Sequence, residues 1–141
     1  MATRRELILS TWAAALAGMP QVSGRIWRSR VEALQRSESP GVVIEWTQDA
    51  PSVSTSLPFL DWTLEARASV VVRDMVPDLI ADPIVAEIHR RTIASTALQA
   101  LVIDVTPGTQ TLELIAADSP AGIVTVPFTI HYRTTYADPE T

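Results

Sequence analysis

Apolar and polar positions alternate most regularly between Leu57 and Asp74. From Leu60 onward every second residue is apolar: Leu60, Trp62, Leu64, Ala66, Ala68, Val70 and Val72. The positions between them are Asp61, Thr63, Glu65, Arg67, Ser69, Val71 and Arg73. A period of two sends the two sets to opposite faces of a pleated ribbon, so this stretch predicts a long strand with one oily and one wet face. At roughly 3.3 Å per residue it runs on the order of 45 Å. That is longer than strands usually are, so a bend, a bulge or an end projecting as an arm for assembly is expected.

Around it the pattern changes period. Leu7, Ile8, Thr11, Trp12, Ala15 and Leu16 recur at three and four and predict a helix over 3–18. Thr3 and Glu6 have capping-box spacing, and Gly18 followed by Pro20 is a stop. A short strand is expected within 22–31, a turn over 37–41, and a second strand carrying Val42, Ile44 and Trp46. The polar, serine-rich run 48–57 reads as a long mobile hairpin loop before the long strand.

Asp82 followed by Pro83 predicts the start of a second helix, with Ile84, Val85, Ile88 and Thr92 on one side, ending near Thr96. Residues 77–81 read as an extra short turn. Strands follow around Leu101–Val105, Leu112–Leu114 and Val124–Tyr132, with turns at Pro107-Gly108 and Asp118–Gly122. Pro127 lacks a ladder donor, which predicts an edge position or a bulge for the last strand. Residues 137–141 read as a loose tail.

The order is helix, strands, long strand, helix, strands, with no sustained βαβ alternation. It predicts an α+β fold: a mainly antiparallel twisted sheet with one long central strand and two helices packed on one face. The 141 residues are expected to form one domain, 1–141.

Composition narrows the chemistry. There is no cysteine, which excludes disulfides, zinc–thiolate sites and cysteine nucleophiles. There is no lysine; all eleven basic residues are arginine, each able to make bidentate contacts. Residues 1–36 hold six arginines against two glutamates, and residues 37–141 hold five arginines against fourteen acids. The net charge of −5 argues against grip on nucleic acid by counterion release. The basic first third is suited to another protein surface or a second copy. The apolar run Leu7–Ala17 is interrupted and too short to span a bilayer, and no signal-peptide pattern is seen, so the protein is expected to stay where it is made, without a membrane partner.

No phosphate loop, GxSxG elbow, HExxH or HxxEH pattern is present. His89 and Glu87 are two apart and do not share a helix face; His131 reads as solvated. Asp61, Glu65 and Glu45 read as a cross-strand pairing surface for Arg67 and Arg73. No catalytic residue, metal site or cofactor site is predicted, and the expectation is a protein that is not an enzyme. Trp12 and Trp62 are expected in the core. The candidate protein-interface residues are Arg25, Trp27, Arg28, Arg30, Trp46, Arg67 and Arg73, since Trp and Arg are enriched at interfaces.

Three segments carry a family resemblance: RIWRSRVEALQRSESPGVVIEW, DPIVAEIHRR, and Asp118–Arg133, DSPAGIVTVPFTIHYR. With the helix RRELILSTWAAALAGMP they resemble the minor tail and tail terminator proteins of long-tailed, lambda-like phages and prophages. The resemblance implies a small α+β domain that closes into a ring, expected to be hexameric, on the virion tail at its neck end. The implied partners are other copies, the tail tube protein and the head–tail connector protein. DNA would pass through the ring without specific binding, past an acidic lumen, and loops 48–57 and 73–82 would order on docking. No individual functional residue carries over, because the family has no catalytic motif. Another neck or tail-completion protein is the first alternative. A small α+β ligand-binding domain or enzyme is the second, and it would need a concave pocket with convergent polar groups.

Overall fold

The computed structural model describes residues 2–30, 34–53, 58–116 and 120–141. Helix α1 is Arg4–Leu16; strands β1, β2 and β3 are Ile26–Arg28, Gly41–Val53 and Phe59–Val72. Helices α2, Pro77–Ala94, and α3, Thr96–Gln99, follow; β4, β5 and β6 are Asp104–Pro107, Thr111–Ile115 and Ala121–Thr135. The six strands form one sheet in the order β1-β2-β3-β6-β4, with β5 also on β6. β1 pairs with β2 in parallel and every other pairing is antiparallel. This is the expected α+β fold, with its long strand in the middle.

The register shows why the alternation in β3 organises the chain. Ala66 lies between Trp46 of β2 and Phe128 of β6, and Ala68 between Ile44 and Val126. Leu64, Ala66, Ala68, Val70 and Val72 are all buried, on the face that the helices cover. The small alanines of β3 leave room for Trp12 of α1, whose ring meets Phe128 edge-on at 5.6 Å and 81°. Trp12 Nε1 donates to Thr92 Oγ1 of α2 at 2.8 Å, so the buried indole N–H has an acceptor.

The predicted α1 stripe is rotated by part of a turn. Ile8, Leu9, Trp12 and Leu16 are buried, whereas Leu7 is exposed. Thr3 caps the helix by accepting from the Glu6 amide at 3.2 Å. The reciprocal half of the capping box is absent, because the Glu6 carboxylate turns to Arg28.

Four expectations about element bounds are corrected. Helix α2 begins at Pro77, not Pro83, and Pro83 lies inside it. The buried series Pro77, Ala81, Ile84, Ile88 and Thr92 runs through that point, and Pro77 itself supplies the first-turn proline. Strand β2 continues to Val53, so 48–53 is ladder and not loop. The last four residues of the predicted loop, 54–57, lie outside the described residues, as do the first two of the predicted turn at 118–122, and Ala121 and Gly122 of that turn already belong to β6. The bulge expected in the long strand lies in β2 instead, where the register shifts between Trp46 and Gln48.

Pro127 is the fourth. Strand β6 is not an edge, since it has β3 on one side and β4 and β5 on the other. The Pro127 carbonyl accepts from the Gly108 amide at 2.9 Å. Its missing donor therefore faces the same way, into the break between Pro107 and Thr111 where β4 ends and β5 begins. The proline costs no ladder bond there, and its ring would crowd any side chain at Gly108, whose Cβ would sit 3.1 Å from Pro127 Cγ.

Candidate functional site

The seven residues singled out by sequence divide among three places. Arg30, Arg67 and Arg73 line a concavity of about 470 Å³ on the face of the sheet away from the helices. Its floor is apolar, from Val43, Val71 and Ile123, and Glu45 and Glu113 stand among the arginines. Alternation puts these residues there: Glu45 pairs in register with Arg67, and Val43 with Ser69. Arg67 binds Glu45 at 2.8 Å. Arg73 Nε donates to the Leu34 carbonyl at 2.8 Å, so only one of the two arginines assigned to the carboxylate surface uses it. Glu65 accepts from Thr129 Oγ1 instead, and Asp61 binds Arg133 at 2.7 Å.

Trp27, Arg28 and Arg30 form a neighbouring shelf around β1. The Arg30 guanidinium lies 4.6 Å over the Trp27 ring and makes a two-pronged pair with Glu38, both contacts 2.8 Å. Arg30 and the Gln35 amide hold the Glu38 carboxyl down at about 2. Arg28 pairs with Glu6 of α1 at 2.7 Å, which lowers the Glu6 carboxyl and raises the guanidinium. Arg25 Nε donates to the Pro40 carbonyl at 2.9 Å. Gly41 leaves no free room for a side chain under this shelf, since a Cβ would fall 2.4 Å from Trp27 Cζ3, 2.7 Å from Leu34 Cδ2 and 3.0 Å from the Glu38 carbonyl.

Trp46 is on the helix-covered face, at its far end, where the Arg5 guanidinium sits 4.2 Å over its ring. The cluster there was not legible in the sequence. The β2 bulge returns Asp49 to the inner face, opposite Leu64. Its side chain is 2% exposed, accepts from Tyr132 Oη, and meets Arg5 at 3.5 Å. Its other oxygen, Oδ1, is buried with no partner among the described residues. Burial pushes the Asp49 carboxyl up, against the opposing pull of Tyr132 and Arg5. Burial and the neighbouring carboxylate together push the Tyr132 phenol well above its usual range. Trp62, half-buried, stacks on Tyr132 at 6.0 Å and 7° and donates to Thr134 Oγ1 at 2.9 Å. A period-two reading of a polar segment carries no sign of a one-residue bulge, which is why Asp49 was missed.

His131 is half-buried, with Nδ1 2.6 Å from Asp104 Oδ1 across the β4–β6 ladder. Among the described residues no group of three or more His, Asp or Glu side chains is placed to hold a metal ion. No described helix is long and apolar enough to cross a membrane.

The most conspicuous surface feature lies where α2 begins. Met75 is 81% exposed, Leu79 68% and Leu114 67%, with Val76 and Leu112 also exposed. Leu114 of β5 comes close to the start of α2: a Cβ on Gly122 would meet Pro77 Cγ at 2.7 Å and Leu114 Cδ2 at 3.6 Å. Asp78 and Asp82 line one concavity with Leu112, so an acidic edge accompanies the apolar patch.

The chain matches no protein-family model and no curated protein.

Proposed function

We propose that this protein is a structural component of a phage or prophage tail, a ring-forming cap of the tail-terminator kind. In this reading copies close into a ring, expected to be hexameric, one face seats on the tail tube and the other meets the head–tail connector. The observation that carries the reading is the exposure of large apolar side chains at the start of α2 (Met75, Val76, Leu79) and on β5, which runs beside it (Leu112, Leu114). Soluble monomers rarely leave large apolar side chains clustered in water unless another macromolecule covers them. The groove on the opposite face supports the same reading: its apolar floor and arginine rim have the composition of a protein contact.

The family identity rests on the resemblance of the α1, β1–β2, α2 and β6 segments to tail terminators. Its test is reconstitution with the tail-tube protein of the same phage or prophage. The expected result is a ring-sized species in sedimentation and tubes whose growth stops when the protein is added. Tubes that elongate unaltered beside a persistent monomer would refute it.

A further inference from the structure

The sheet has two ends, and they differ in chemistry. At one end β4 and β5 together make a single interrupted strand that pairs only with β6 among the described residues. All five residues of β5, Thr-Leu-Glu-Leu-Ile, are exposed. At the other end β1 pairs only with β2 among the described residues.

The orientation of the β5 backbone follows from Pro127. Its carbonyl points toward the β4–β5 side, so Thr125, Ile123 and Ala121 turn the same way. Their register partners Thr111, Glu113 and Ile115 point back at β6. The N–H and C=O groups of Leu112 and Leu114 therefore face outward. Natural edges are blunted by lysine, proline or an inward charge; β5 has a single charge, Glu113, and none of the other devices.

Charge selects the occupant. Glu113 makes no ion pair among the described residues, and neither do Asp78 and Asp82 beside Leu112. At the opposite end Arg25, one place before β1, spends only Nε on the Pro40 carbonyl, which leaves its terminal amines without a protein acceptor among the described residues. Two β5 strands meeting antiparallel about Glu113 would set like charges face to face, which destabilises a ladder. A β5 edge meeting a β1 edge sets Glu113 toward Arg25.

We propose that the β5 edge of one copy pairs with the β1 edge of the next copy, so that one sheet runs through the contact. Two different patches of one chain then meet head to tail, the arrangement that generates rings. This inference rests on the ring-forming reading above and names the surfaces that build it.

The natural absence of cysteine gives a clean background for its test. Single variants Leu114→Cys and Arg28→Cys are mixed and treated with a short bismaleimide, with and without tail tubes. Both sites lie on the helix-covered face of the sheet, at opposite ends of it. The expected result is a 28–114 cross-linked pair, and a ladder of oligomers from the double variant. Glu113→Arg, a change at an exposed site, is expected to lower the yield about tenfold at low salt. Cross-links of 114 to 114 alone, or none under either condition, would overturn the proposal. Tube capping without 28–114 cross-links defeats this inference and spares the functional reading. A ladder without capping does the reverse.

Discussion

Thr92→Val should destabilise the protein more than Thr92→Ser, although valine keeps the shape of threonine and serine does not. Trp12 is 0% exposed and Thr92 1%, and Thr92 Oγ1 accepts the indole N–H at 2.8 Å. Valine leaves that donor buried and unsatisfied, which costs about 1–3 kcal/mol. Serine keeps the acceptor and removes one methyl, a loss of about 0.5–1.5 kcal/mol by analogy with Ile→Val. In a chain of this length each kcal/mol moves the melting temperature by roughly 2–4 °C or somewhat more. Urea unfolding gives the free energies, and Trp12→Phe in the Thr92→Val background completes a double-mutant cycle. The cycle should show that valine costs little once the indole N–H is gone. A neutral Thr92→Val, or a cost unchanged by Trp12→Phe, would refute the claim that the buried Trp12–Thr92 hydrogen bond stabilises the contact between α1 and α2.

Three further outcomes follow from the geometry. Gly41→Ala and Gly122→Ala should each destabilise by about 1–3 kcal/mol in urea titrations, since the new methyl meets Trp27 at 2.4 Å in one case and Pro77 at 2.7 Å in the other; wild-type midpoints would show that those neighbours yield freely. The Asp49 carboxyl is raised by burial above its ordinary 3.8, so the folded state binds its proton more tightly and loses stability as pH rises through that raised value. Asp49→Asn should therefore gain on wild type between acid and neutral pH in unfolding midpoints, and a difference flat with pH would contradict the assignment. Glu38 is held down to about 2, so its contribution is present above its ordinary 4.5 and lost as pH falls toward 2; Glu38→Gln should flatten that part of the stability profile, and an unchanged slope would count against the Arg30 pair.

What could be read in advance, and what could not, divides along the range of the forces involved. The face of β3 was legible because period two is a local property that one buried side imposes on every residue. The start of α2 was misplaced because Asp82-Pro83 is a good local start signal, while the stripe from Pro77 to Thr92 is a tertiary fact that overrides it. Pro127 was assigned to an edge by a sound rule. The rule failed because the strand opposite it is broken at 108–110, and that break is invisible in the sequence around Pro127 itself.

Of the candidate surface, Arg30, Arg67 and Arg73 do converge on one groove. Trp46 does not join them, because its position in β2 faces the helices. The apolar patch at Met75, Leu79 and Leu114 went unremarked. Each of its residues is ordinary in sequence, and only the approach of β5 to the start of α2 assembles them.

A tail cap must assemble at the end of a tail tube. Electron microscopy of tubes grown with and without the protein measures this. A ring of density closing one end of each tube is expected, together with a narrowed distribution of tube lengths. Bare tube ends and unchanged lengths at saturating protein would contradict the tail-cap reading.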